Sequence, residues 1–346
     1  MSPQEMSEFR QDPTTKEWVI LAPERAHRPQ QTLAKKPIEV IPEFDETCPF
    51  CPGNEDQTPE ETLRLWDVRV VPNRYAALAP EGDTKRRENG HFARSMDGFG
   101  VHEVIIESRL HNDVIANMTY EHVENILFAY RERYNTLKEN PFLKFITIFK
   151  NHGRESGTSL IHPHSQLVAT PIITPYFHRR FDIAQDYNAE MGTCLYCDIL
   201  QEELEKGERI VLDNREFVVF QPFASRTPHE TWIVPKTHRS SFGQCPTEDY
   251  PDMARVLRDT LRCLFVTLDN PAYNMIIDST TTSDEVDPYY HWHIRIVPRL
   301  SMIAGFEIGS GIYISTTLPE DTAAEMKKCI SSMNGESDLS RKPDEE

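Results

Sequence analysis

The sequence predicts an α+β fold, an antiparallel sheet with covering helices built from two tandem copies of one half-barrel unit. Three observations carry this expectation. A set of motifs recurs in the same order in both halves of the 346-residue chain. Strand-like runs follow one another more often than they alternate with helical ones, which favours hairpins over parallel crossovers. Each half also holds one long segment of helical periodicity at the same place between its strands.

Along the chain, strands are expected where residues alternate or run apolar: 17–21, 68–71, 103–107, 144–150, 165–169, 216–220, 231–234 and 294–297, and 273–277 matches 145–149 in the repeat. A helix is expected over 120–138, where Val123, Ile126, Leu127, Tyr130 and Tyr134 recur at helical spacing. Its counterpart is 249–268, with Met253, Val256, Leu257 and Leu261. The polar stretch 176–192 joins the halves, which sets the first unit at 1–180 and the second at 181–333. The charged tail 334–346 is expected to be disordered.

The repeat is explicit in the residues. Cys48 and Cys51 are followed by His102-Glu103 and His111; Cys194 and Cys197 are followed by His229-Glu230 and His238. The step from His-Glu to the next histidine is nine residues in both halves. After 51 and 53 further residues come His162-Pro-His164-Ser-Gln166 and His291-Trp-His293-Ile-Arg295. One such match is a coincidence; the ordered series is a diverged duplication.

Composition narrows the function classes. With 38% hydrophobic and 27% charged residues and no run of about 18 apolar ones, the chain reads as a soluble, cytoplasmic protein without a signal peptide. A formal charge of −18 argues against nucleic acid or an anionic membrane as partner. A small anionic substrate stays open, given local donors such as Arg25, His27, Arg28 and Lys150.

Seven cysteines, four of them in two Cys-x-x-Cys pairs, point in a reducing compartment to metal sites rather than disulfides. Zn2+ takes four tetrahedral Cys and His ligands. Cys48, Cys51, His111 and His162 supply one set, and Cys194, Cys197, His238 and His291 a second, so two zinc ions per chain are expected. Each would pin a loop to strands of a larger sheet. His102 and His229 complete neither set and are read as ordinary hydrogen-bonded histidines.

The chemistry is expected at His164. His162, His164 and Gln166 sit at steps of two and share one strand face, with His164 about 6 to 7 Å beyond a zinc-bound His162. A neutral imidazole donating through one nitrogen presents the other as a nucleophile toward an α-phosphorus. The amide of Gln166 can hold a nonbridging phosphate oxygen, but it cannot protonate a basic leaving group. Reversible transfer between phosphates follows, and hydrolysis is disfavoured.

Cys-Pro-Phe-Cys-Pro-Gly-Asn-Glu at 48–55, the segment Ala22-Pro-Glu-Arg25-Ala-His-Arg28-Pro29 and the His162-Pro-His164-Ser-Gln166 signature resemble the galactose-1-phosphate uridylyltransferase family of the histidine triad superfamily. The similarity runs from about Phe9 to Met326, and Gly305 to Tyr313 is more similar to the ADP-glucose phosphorylase branch. The resemblance implies two histidine-triad-like units and a ping-pong reaction on a homodimer, of UDP-glucose:hexose-1-phosphate uridylyltransferase type in galactose metabolism. His164 would become nucleotidylated by a nucleotide sugar, and hexose 1-phosphate or phosphate would accept the nucleotide. It further implies that Asn73, Asn151 and Ser159 contact nucleotide or phosphate, that Arg25 and Arg28 reach across the dimer, and that the first zinc is structural.

Departures from the family bear on specificity. Arg74 stands where uridylyltransferases carry an acid, and Ser301 and Tyr313 stand where they use lysine and glutamine on the hexose phosphate. His293 is expected to be structural, because Arg295 replaces the glutamine beside it. The alternatives are an ADP-sugar phosphorylase using the same histidine and, from another class, a non-catalytic zinc module that senses nucleotides. The intact His164 and Gln166 speak against the latter.

Overall fold

In the computed structural model, which describes residues 6–27, 41–283 and 287–339, ten strands form one antiparallel sheet. They are β1 Leu63–Leu65, β2 Val68–Pro72, β3 Val101–Ile106, β4 Phe145–His152, β5 His164–Thr170, β6 Ile210–Asp213, β7 Phe217–Phe220, β8 Thr231–Pro235, β9 Tyr273–Asp278 and β10 His293–Pro298. Across the sheet they run β6-β7-β8-β10-β9-β4-β5-β3-β2-β1. Read outward from the middle, both halves have the same order. They meet where the equivalent strands β4 and β9 pair, Asn151 opposite Asn274 and Phe149 opposite Ile276. The sheet stays open and does not close into a barrel.

The described residues form six α-helices: α1 Tyr120–Lys138, α2 Pro175–Met191, α3 Leu195–Lys206, α4 Tyr250–Thr267, α5 Gly305–Ser310 and α6 Pro319–Leu339. No helix among the described residues is long and apolar enough to cross a membrane. The apolar stripes of α1 and α4 bury Val123, Ile126, Leu127, Met253, Val256 and Leu257 against one face of the sheet, in a single core shared by both halves.

The opposite face is treated differently in the two halves. In the second, α2 and α3 cover it, packing Phe177, Phe181, Tyr196 and Leu200 on Val218, Trp232 and Val234. In the first, among the described residues, a small cluster of Cys48, Phe50, Cys51, Val71, Val104 and Ile106 lies there. That difference leaves the first half a surface on which a ligand can sit.

The expected strands and both long helices form within two residues of their expected ends. The polar junction, however, is helix α2. Its stripe is narrow, since only Phe177, Arg180, Phe181 and Ala184 are buried. The end signals are local: the Thr174 side chain accepts from the amide of Phe177, Pro175 opens the helix, and Gly192 ends it at φ 75°. The tail differs as well. α6 is anchored by the buried Ala323, Met326 and Ile330 and continues to Leu339, so residues 334–339 are helical. Residues 340–346 lie outside the described residues.

Candidate active site and metal clusters

The two expected ligand sets each converge. In both, the four ligand atoms lie within 4.8 Å of one another. In the first, Cys51 Sγ is 3.5 Å from His111 Nδ1 and 3.6 Å from His162 Nδ1. In the second, Cys197 Sγ is 3.2 Å from His238 Nδ1 and 3.3 Å from His291 Nδ1. Ligands on a tetrahedral zinc stand roughly 3.5 Å apart, so both sets fit a metal ion.

The surroundings fit as well. His162 Nε2–H donates to the Ser108 carbonyl at 2.8 Å, which leaves the Nδ1 lone pair facing the thiolates. Burial holds this histidine well below its usual range, at about 4. Burial also pushes the Cys48 thiol up to about 11, so a cation is needed to draw off its proton.

His164 and Gln166 pair with Ile106 and Val104 of β3, so both side chains share the face of that small apolar cluster. They line a cavity of about 370 Å³ together with Phe50, Asn73, Arg74 and Ser159. Nδ1 of His164 donates to the His162 carbonyl at 2.8 Å, which leaves Nε2 as the ring's lone-pair nitrogen. Burial lowers its pKa, with Lys150 adding to the shift, so the neutral form prevails at neutral pH.

A loop brings Ser159 to the cavity. It leaves β4 through Gly153, at φ 78°, where a Cβ would stand 2.7 Å from that of Ala272. Asn151 lies one strand from His164, and its Oδ1 accepts from Asn274 at 2.7 Å; it does not line the cavity. Arg25 is exposed on the turn Pro23–His27 and does not line it either. Arg28 lies outside the described residues. Ser301 and Tyr313 line a separate cavity of about 150 Å³ with Arg226, Arg295 and Arg299.

Two features escaped the sequence. The first is His102, whose Nε2 lies 2.8 Å from Gln166 Oε1 and 3.0 Å from Asn73 Nδ2, and whose Nδ1 accepts from the Ala77 amide at 3.1 Å. Its recurrence as His229 was the available signal, but His229 sits at φ 60° beside Glu325 and makes no such link.

The second is the blocking of His293. Its Nδ1 donates to the His291 carbonyl at 3.0 Å, as in the first half. Its Nε2, however, faces Arg180 at 3.2 Å and Asp278 at 3.5 Å, and Trp232 stacks on the ring at 4.5 Å. Arg180 comes from α2, and the helix that covers the second half therefore also occupies the nitrogen equivalent to Nε2 of His164.

Behind β5, Lys150 pairs with Glu107 and donates to the His164 carbonyl at 3.2 Å. Tyr130 and Ser165 also donate to Glu107. Burial would raise the Glu107 carboxyl, but Lys150 and these hydroxyls outweigh it and hold it below the usual range. Lys150→Met strands a buried carboxylate and is expected to cost about 3 kcal/mol or more of stability. Denaturant melts of the variant and its parent measure this, and unchanged stability would show that the pair is dispensable.

Comparisons with known proteins identify the family. The family model described as "Galactose-1-phosphate uridyl transferase, N-terminal domain" matches residues 1–174, and the one for the C-terminal domain matches residues 180–335. The chain is 36% identical over 332 residues to an ADP-glucose phosphorylase of Arabidopsis thaliana, covering 93% of this chain and 92% of that one. It is 29% identical to a galactose-1-phosphate uridylyltransferase of Thermotoga maritima, covering 93% and 98%. The crystal structure of the Arabidopsis thaliana ADP-glucose phosphorylase with bound ADP-glucose superposes with a TM-score of 0.81 at 33% identity, over 93% of this chain and 98% of that one. Matched in order through both halves, the chain belongs to the galactose-1-phosphate uridyl transferase family of nucleotidyltransferases, on the side of its ADP-glucose phosphorylase branch.

Proposed function

We propose that the chain is an ADP-sugar phosphorylase acting through a nucleotidyl-His164 intermediate, rather than the uridylyltransferase of galactose metabolism that the sequence first suggests. The observation that carries the chemistry is the His164 ring, pinned through Nδ1 with Nε2 as its lone-pair nitrogen in a cavity it shares with Gln166. In the first step Nε2 forms a bond to the α-phosphorus of ADP-glucose, and the bond to the departing hexose 1-phosphate breaks. In the second, an oxygen of inorganic phosphate attacks the same phosphorus and the N–P bond breaks, which releases ADP. Both leaving groups depart without a proton donor, in keeping with a glutamine at position 166.

The choice of adenine and phosphate rests on the greater identity to an ADP-glucose phosphorylase than to the Thermotoga maritima uridylyltransferase. Ser301 and Tyr313, in place of the lysine and glutamine expected on a hexose phosphate, support the same choice. In this reading both clusters hold zinc, the first as a structural ion that ties the Cys48–Cys51 loop to His111 and His162. The enzyme is a homodimer in which Arg25 and Arg28 reach the partner's site, while Asn73 and Ser159 contact nucleotide or phosphate.

Incubating the protein with labelled ADP-glucose and UDP-glucose in parallel, each with inorganic phosphate or galactose 1-phosphate, tests the assignment. ADP-glucose with phosphate is expected to give the highest kcat/KM, with galactose 1-phosphate roughly tenfold or more poorer as acceptor. Preference for UDP-glucose with galactose 1-phosphate would refute it.

A further inference from the structure

We infer that His102 is a positioning residue that sets which end of the Gln166 amide meets the substrate phosphate, an inference that rests on the function proposed above. The hydrogen-bond pattern fixes the proton on its ring. The backbone amide of Ala77 can only donate, so Nδ1, at 3.1 Å, must accept, and the ring proton sits on Nε2. Nε2–H then donates to Gln166 Oε1 at 2.8 Å. With its carbonyl end held, the Gln166 carboxamide has only its NH2 group to offer the cavity that His164 lines.

A flipped amide would set NH2 against Nε2–H, donor against donor, and would turn a carbonyl oxygen on the phosphate. Histidine at 102 therefore selects the one orientation that stabilises a nonbridging oxygen as charge shifts onto it.

The loop after β2 is held by the His102 backbone as well as by its ring. The Asn73 amide N–H donates to the His102 carbonyl at 2.8 Å, and Asn73 Oδ1 accepts from Tyr75 at 2.8 Å. Asn73 Nδ2 lies 3.0 Å from the protonated Nε2, where two donors meet, so it has reason to turn to an acceptor on the ligand. His102 lies on β3, opposite Val168 and outside both ligand sets, so its effect on the reaction is separable from zinc.

The test is a double-mutant cycle on the full-length protein, read by the single-turnover rate of nucleotidylation with ADP-glucose, with zinc content and melting temperature recorded for each variant. His102→Ala is expected to slow the step roughly 10²-fold, at a KM within about threefold of the parent's. His102→Gln, whose amide can donate where Nε2–H does, should recover about tenfold of that loss. In a Gln166→Ala background the same His102→Ala change should alter the rate by less than about threefold, because its effect passes through Gln166. Multiplicative losses, no recovery with glutamine, or a rise in KM alone would overturn the inference. Should His102→Ala fail to fold, His102→Leu takes its place in the cycle, and failure of both to fold would mean that the role is structural and the inference wrong. Label on His164 in the parent with multiplicative losses refutes only the role of His102, whereas no label in the parent refutes the proposed function and this inference together.

Discussion

His164→Gly is expected to lose turnover by roughly 10⁴-fold or more while folding and binding metal as the parent does. Three histidines compete for the role, each within a His-x-His pair, and their environments separate them. His162 directs Nδ1 at Cys51 and spends Nε2 on the Ser108 carbonyl, so neither nitrogen is left for a phosphorus. His293 is fully buried, with Arg180 and Asp278 on its Nε2 and burial holding it at about 3. His164 alone combines a fixed Nδ1–H, an Nε2 lone pair and a place on the cavity wall beside Gln166. Mass mapping of the parent after a single turnover with labelled nucleotide sugar should find the nucleotide on His164. A label on another residue, or near-normal turnover by the glycine variant, would overturn the assignment.

Cys48→Ser is expected to reduce bound zinc from two ions per chain to about one and to cost about 4 kcal/mol or more of stability. For a chain of a few hundred residues this is a fall of roughly 10 °C in melting temperature. The magnitude follows from how much the cluster ties together. The loop carries Cys48, Phe50 and Cys51 into a small apolar cluster, and Phe50, which lies between the thiols, packs edge-on to both His162 and His164 at 6.0 and 5.4 Å. Losing the ion would therefore free Phe50 as well and loosen the cavity wall. Elemental analysis with thermal melts tests this, and a variant that keeps both ions and melts like its parent would sink it.

Much of the architecture was legible because a duplication writes each signal twice. The ligand sets recur in register, and β-strand alternation and the stripes of α1 and α4 follow directly from side-chain period. What was hidden lies in contacts between distant segments. Arg180 reads as one more charge in a polar stretch, and only the fold brings it against Asp278 and His293, some hundred residues on. α2 was missed because its burial is four residues deep in sequence and one of those is an arginine. His102 was read as an ordinary hydrogen-bonded histidine because it completes neither ligand set, and its partners Gln166, Asn73 and Ala77 become visible only once β3 lies beside β5 and the loop after β2. Asn151 shows a milder form of this, since its pairing with Asn274 depends on how the halves meet.

The pairing of β4 with β9 has a consequence for the chain as a physical object. Strands some 120 residues apart form the central ladder, and the core on the helix face runs across it without a break. Separated at the junction, each half would present an unpaired strand edge and half of a hydrophobic layer to water, the two features that template aggregation. The two halves thus hold together only as one body, and neither has a surface on which to stand alone.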